Sequence, residues 1–373
     1  MRPQLTPALH RLWRDGSTLQ LGLAPGRCAV ITDADHDVIA LLDQLDGTRT
    51  LDDITAEAAS ESTDGLTLAM TETLLRQLSQ NGLLVDASTS TEALHRLPSI
   101  ERTRLRDDMG AWSTATTGID GAHGVLARRR RAWIDIRANG RLGFACARLL
   151  ATAGIGRLTI ADPTLVEAQA LAPLGPTRDH LGQRTSQAVY DDLSAHAPAT
   201  RRTPRMSSGP DVTLIIETEP LINLDVIDDL MRRDAVHLPV VQRGGGFVLG
   251  PLVLPGRSAC VRCVDHMRTE QDPAWPWMTA QLRTDPRAAR AAVAAHDSVL
   301  GTAAAALLCL QVLTYIDGET APLLVDAIGH LALPHGQLER VPAAAHPACG
   351  CTWPGQVVAP RARQRRAPRT MAM

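Results

Sequence analysis

The chain has 373 residues, 45% of them apolar and only 3% aromatic, so two or three domain cores must be built on aliphatic packing. A formal net charge of −2 supplies no long-range pull toward nucleic acid or an anionic membrane, and neither partner is expected. Every basic residue is an arginine, which excludes a phosphate-binding lysine, a Schiff-base amine and an isopeptide acceptor. No apolar run of 18 residues is evident, so no transmembrane helix is expected. The start, Met1-Arg2-Pro3-Gln4, lacks the apolar stretch of a signal peptide. Seven cysteines at uneven spacing do not read as a disulfide framework, and a reducing, cytoplasmic compartment is expected.

Residues 1–86 read as one small domain. Two runs, Ser17–Leu23 and Arg27–Ile31, flank Pro25-Gly26 and predict a hairpin. Three helices follow. Asp35 caps the first, Thr50 caps the second with Asp53 as its capping-box partner, and the third runs from about Leu66 to the stop at Asn81-Gly82. Leu83-Leu84-Val85 returns as a short strand. A hairpin with three short helices is the outline of a winged helix-turn-helix. Residues 87–131, ending in Arg128-Arg129-Arg130-Arg131, read as a solvated linker with a short helix within it. Residues 132–358 begin with alternating strand and helix patterns, with strands at Trp133–Ile136, Leu158–Ile160, Val212–Ile216 and Val236–Val241. That rhythm predicts an open parallel α/β sheet. An alanine-rich buried helix spans about Pro286–Tyr315, and 359–373 is an arginine-rich tail expected to be disordered.

Two motifs carry chemistry. Cys260-Val261-Arg262-Cys263 and Cys349-Gly350-Cys351 each offer a pair of thiolates, and four at tetrahedral corners make a closed structural zinc site. A C-x-x-C alone also suits a redox pair. Cys28, Cys146 and Cys309 lie in apolar patterns. The second motif is a degraded glycine loop, Arg137-Ala138-Asn139-Gly140-Arg141-Leu142-Gly143, between a strand and a helix. A dinucleotide fingerprint would have glycine at Ala138. Gly140 and Gly143 remain, and Asp162 ends the next strand, where it could hold a ribose hydroxyl. The alternative is that the glycines serve turn and packing alone.

These pieces, with Leu181-Gly182-Gln183, resemble the ThiF/MoeB-like domain of the ubiquitin-activating-enzyme class. The run from Gly250-Pro251-Leu252 through Cys263-Val264-Asp265-His266 to Asp272-Pro273-Ala274-Trp275-Pro276 looks like the variant of that fold found with azole-modified ribosomal peptides. Residues 1–86, notably Leu45-Asp46-Gly47-Thr48, resemble the PqqD-like recognition domain of those proteins. The fold expected is therefore a Rossmann-like ThiF-type parallel sheet with structural zinc, preceded by a small PqqD-like winged helix-turn-helix. The departures fall on the residues that use ATP. By counting, the family's asparagine and arginine fall at Ala170 and Pro173, its lysine at Thr185, and its magnesium aspartate at Thr218, between Glu217 and Glu219. Adenylation needs positive charge and metal on the triphosphate. Gly140, Gly143 and Asp162 are then a vestigial nucleotide site, ATP use is doubtful, and no catalytic residue is assigned.

The resemblance implies a scaffold that binds a leader peptide as an added strand and presents it to a YcaO-type cyclodehydratase. The peptide would lie between Arg27–Ile31 and the third helix, against Cys28, Val30, Leu74, Gln77 and Leu78. Many members of the fold pair, so a homodimer is an expectation by resemblance alone. The rival reading is an active adenylyltransferase that activates a peptide carboxylate. DNA binding by the third helix is disfavoured, because that helix offers only Arg76.

Overall fold

In a computed structural model of the protein, the described residues are 1–7, 9–23, 28–60, 67–89, 92–138, 140–202, 209–285, 297–352 and 369–371. They form two compact units, 1–128 with 361–373, and 129–360.

The first unit starts with β1 (Pro3–Leu5), β2 (Arg11–Trp13), β3 (Leu19–Leu21) and β4 (Ala29–Ile31). The expected hairpin is β3–β4, paired antiparallel, with β2 added beside β3; its turn, Pro25-Gly26, and Arg27 lie outside the described residues. Helices α1 (His36–Gln44), α2 (Leu51–Ser60) and α3 (Leu68–Gln80) follow, then β5 (Leu84–Asp86), which pairs antiparallel with β1. The caps are those read from the residues. Asp35 accepts from the Val38 N–H at 2.9 Å, and Thr50 and Asp53 exchange backbone N–H bonds at 3.2 and 3.1 Å. One face of each helix closes over the hairpin, burying Leu21, Ile31, Val38, Leu42, Ile54, Leu74 and Leu78. Each such side chain contributes about 1.5–3 kcal/mol when fully buried.

The segment expected as a linker is helical: α4 (Glu92–His95), α5 (Ser99–Ala115) and α6 (Gly121–Arg131). Its residues through Arg128 belong to the first unit. The arginine run is not a solvated face. Arg129 is 5% exposed and makes a two-pronged bond to Asp317, Nε–Oδ1 2.8 Å and Nη2–Oδ2 2.6 Å. Arg130 donates to the Ala199 and Ile155 carbonyls.

The second unit carries an eight-stranded sheet. Its strands are β6 (Trp133–Ala138), β7 (Arg157–Ala161), β8 (Arg201–Arg202), β9 (Val212–Glu217), β10 (His237–Arg243), β11 (Gly246–Leu249), β12 (Ala327–Leu331) and β13 (Leu338–Pro342). The order is β13-β12-β11-β10-β9-β6-β7-β8. The five strands from β10 to β8 run parallel, and β11 to β13 add an antiparallel meander. The connecting helices are α7 (Arg141–Thr152), α8 (Thr185–His196), α9 (Leu224–Arg232), α10 (Val261–Gln271), α11 (Trp275–Thr284) and α12 (Ser298–Asp317). Side chains alternate across the sheet. Ile134, Ile136, Leu214, Leu238 and Val240 pack on Phe144 and Leu150 of α7 and Leu308 and Val312 of α12. The other face joins Ile215, Val241, Val248 and Ile328 to Ile227, Leu230 and Val264. The strand order reverses at β6, which opens a crevice beyond the carboxyl ends of β6 and β9.

Helix α12 is described from Ser298 onward; 286–296 of the helix expected there lie outside the described residues. It is apolar all round, and by length and composition it is long enough to cross a membrane, contrary to the reading of the sequence alone. Here it is a core helix, packed along α7. In the first unit, β14 (Arg369–Met371) pairs parallel with β4. These three residues of the tail expected to be disordered are thus a strand; 359–368 and 372–373 lie outside the described residues.

Candidate functional site

Cys260 ends a loop as the N-cap of α10, and Cys263 sits in that helix's first turn. Both are buried, and both face the helix N-terminus, where partial positive charge favours thiolates. Cys349 and Cys351 flank Gly350, whose φ of +68° is a conformation that side chains resist. Asp326 stitches the two segments together: its Oδ1 accepts from the Ala259 N–H at 2.8 Å and its carbonyl from the Ala343 N–H at 2.9 Å.

The four Sγ atoms lie within 4.8 Å of one another, with 3.8 Å between Cys260 and Cys263, 3.5 Å between Cys260 and Cys349, and 3.3 Å between Cys263 and Cys351. A tetrahedral thiolate site with bonds of about 2.3 Å has edges of about 3.8 Å. All four thiols are free. The Cys263 sulfur also accepts from the His346 N–H at 3.2 Å, and the His346 ring bonds Glu270 and stacks on His266. The close thiols act on each other's ionisation. The hydrogen bond from Cys260 holds Cys263 down at about 4, while burial pushes Cys351 up to about 12 and Cys349 upward. A bound dication would satisfy all four as thiolates. The redox alternative leaves Cys349 and Cys351 without a role, whereas this group of four fits a metal ion.

The glycine loop lies at the crevice. Gly140 has φ +98°, and its N–H donates to Asp162 Oδ2 at 2.8 Å. Asn139 lies outside the described residues. Asp162 Oδ1 accepts from the Thr164 N–H at 3.0 Å and hydroxyl at 2.6 Å. Among the described residues, Oδ2 accepts the one hydrogen bond from Gly140, fewer than a carboxylate oxygen can take. Gly143 answers Ala138: a Cβ on Gly143 would sit 2.3 Å from the Ala138 methyl. Ala138 thus fills space that a first loop glycine would leave open. Thr185, where counting along the sequence puts the family's lysine, is buried, and its hydroxyl lies 2.9 Å from that of Thr164. Thr218 is half-buried, and Pro173 is exposed.

Three of the five residues assigned to a peptide are buried. Leu74 and Leu78 are core residues of the first unit, 2% and 0% exposed, and Val30 is buried. Cys28 and Gln77 are half-buried. The edge of β4 is paired with Arg369–Met371. A larger cavity of about 520 Å³ lies elsewhere in the same unit, bordered by β5, α5 and α6 and lined by Arg102, Arg106 and His123. Its α5 wall lies in the segment read as linker.

Among solved structures, E. coli MccB with ATP matches at 15% identity and TM-score 0.69, covering 95% of this chain and 100% of that one. The microcin C7 biosynthetic enzyme MccB in complex with N-formylated MccA matches at 16% identity and TM-score 0.64, covering 94% and 99%. PaaA matches at 18% identity and TM-score 0.66, covering 91% and 99%. At these identities the likeness is one of fold. No curated protein matches the sequence. The family model for ThiF matches residues 128–352, which takes in β6 to β13, the glycine loop and all four clustered cysteines; the chain belongs to the ThiF family.

Proposed function

We propose that this protein is a leader-peptide-binding scaffold that presents a ribosomal precursor peptide to a YcaO-type cyclodehydratase and does not itself use ATP. The single observation that carries the reading is Thr185. It puts a buried, internally bonded hydroxyl where a phosphate-binding lysine would stand, in a chain without any lysine. Removing that charge together with the arginine at Pro173 and the aspartate at Thr218 costs more than losing one oxyanion donor, itself worth about 3–4 kcal/mol. The microcin C7 biosynthetic enzyme MccB, which shares the fold, has been solved in complex with N-formylated MccA, which supports a biosynthetic peptide as the ligand class here. The first unit, read as PqqD-like, would take the leader as an added strand. We assign zinc to the four cysteines, as a structural ion that pins Cys349–Cys351 to α10.

The rival is an adenylyltransferase. Gly140, the spare accepting capacity of Asp162 Oδ2, and MccB solved with ATP favour it. Calorimetric titration of Mg-ATP into the metal-loaded protein separates the two. The scaffold gives no saturable heat up to about millimolar ATP. Binding at micromolar Kd, about −8 kcal/mol, together with pyrophosphate exchange, would replace the scaffold with the enzyme.

A further inference from the structure

Three guanidinium groups converge at the carboxyl end of β10, on the sheet face that also carries the cysteines. Arg243 ends the strand, Arg268 lies in α10 and Arg283 in α11, and all three line a cavity of about 40 Å³. The side chains of Arg243 and Arg268 both approach the Trp275 ring, 5.2 and 4.9 Å from its centroid. The partners of these cations are mostly neutral. Arg243 donates twice to the Pro220 carbonyl, at 3.2 and 2.6 Å, and Arg283 once to the Ile222 carbonyl at 3.5 Å. Arg268 has no hydrogen-bond acceptor among the described residues. Among the described residues Asp265 is the one carboxylate in the cavity wall, and its Oδ1 accepts from the Trp275 indole at 3.3 Å. Most of the remaining wall is aliphatic, from Val241, Val248, Val264 and Ile328.

Arg243 and Arg268 are half-buried and Arg283 is exposed; two half-buried cations beside one another, with one carboxylate near them, are poorly compensated. Burial and the neighbouring Arg268 draw Arg243 down to about 10, and burial also lowers Arg268. An anion would relieve both effects. The space fits a small one, because a water needs about 10–15 Å³ on this measure. Guanidinium forks match the paired oxygens of carboxylate and phosphate alike. Neither the glycine loop at 137–143 nor Asp162 lines this cavity, so its residues are distinct from those at the crevice.

We propose that Arg243, Arg268 and Arg283, with the Trp275 ring stacked against the first two, form a binding site for one small oxyanion group, a carboxylate or a phosphate. The site does not depend on the scaffold reading.

The test uses the full, metal-loaded chain and its tryptophan emission. Sodium phosphate and sodium acetate are titrated separately at constant ionic strength, with chloride as the control. A saturable emission change is expected at millimolar anion, at least tenfold weaker in Arg268→Met and absent in Trp275→Phe. The melting temperature of Arg268→Met without anion should equal or exceed that of the parent, because a like-charge neighbour is gone; a merely structural arginine would lower it. A response to phosphate alone supports the site and assigns it to phosphate groups. A response to acetate, and to a short peptide with a free C-terminal carboxylate but not to its amide, supports it and assigns carboxylate. If Arg268→Met loses its metal or its circular dichroism, Arg243→Met carries the same comparison. No saturable response to either anion, or an equal response in the charge-removed variant, overturns the site.

Discussion

At Gly143 the reason for a residue is a contact rather than a ligand. The residue is helical and buried, and its missing Cβ makes room for the Ala138 methyl. Gly143→Ala should therefore destabilise the second unit by about 1–3 kcal/mol, the usual cost of overpacking. Ala138→Gly alone should cost about 0.5–1 kcal/mol for a strand glycine. The double variant should recover part of the Gly143→Ala loss, because the two methyls would no longer meet. Urea denaturation of all four proteins checks this, and strict additivity would disprove the coupling. The sequence showed that Gly143 follows the loop at the right spacing. It could not show that packing against Ala138 already explains this glycine.

Among elements, the edge of β4 matters most. An added-strand peptide needs free backbone groups there, and Arg369–Met371 already supplies partners to Ala29–Ile31. A leader peptide and the chain's own C-terminal strand would then compete for one ladder. Removing residues 361–373 should tighten binding of a fluorescent precursor peptide severalfold in anisotropy titrations. Unchanged affinity would place the peptide away from β4. Helix and strand positions were largely legible in the sequence, because caps and alternating apolar runs are local signals. Asp35 and Thr50 cap as their residue types predict. Between 87 and 131 the sequence signalled one short helix in a linker, not the full length of α5 and α6. Only Glu101, Leu105 and Ser113 of α5 are buried, so no apolar stripe marks the helix. The end of α6 is a run of arginines whose partners lie far off in sequence.

For the whole molecule, the cysteine cluster joins α10 to the segment after β13. A metal ion held there is folding energy as much as ligand binding. Elemental analysis should find about one zinc per chain. Cys349→Ser should lose it, and hydrogen exchange should then rise first across residues 344–352 and the start of α10. The hairpin β3–β4 and helices α1 to α3 should keep their protection, because their core is a separate aliphatic cluster. A folded, metal-free parent protein would defeat this expectation.

The sequence by itself determined the parallel α/β class, the glycine loop before α7, and two cysteine pairs spaced for metal. Each of these is written in residues close together along the chain. Only the tertiary structure decided that the four sulfurs meet, that Thr185 turns inward to Thr164, and that Arg129 is buried on Asp317. It also brought Arg243, Arg268 and Arg283 around one cavity. Those outcomes depend on contacts between residues separated along the chain. Local propensity and periodicity say which face of an element is apolar, but not which distant charge or thiol it will meet.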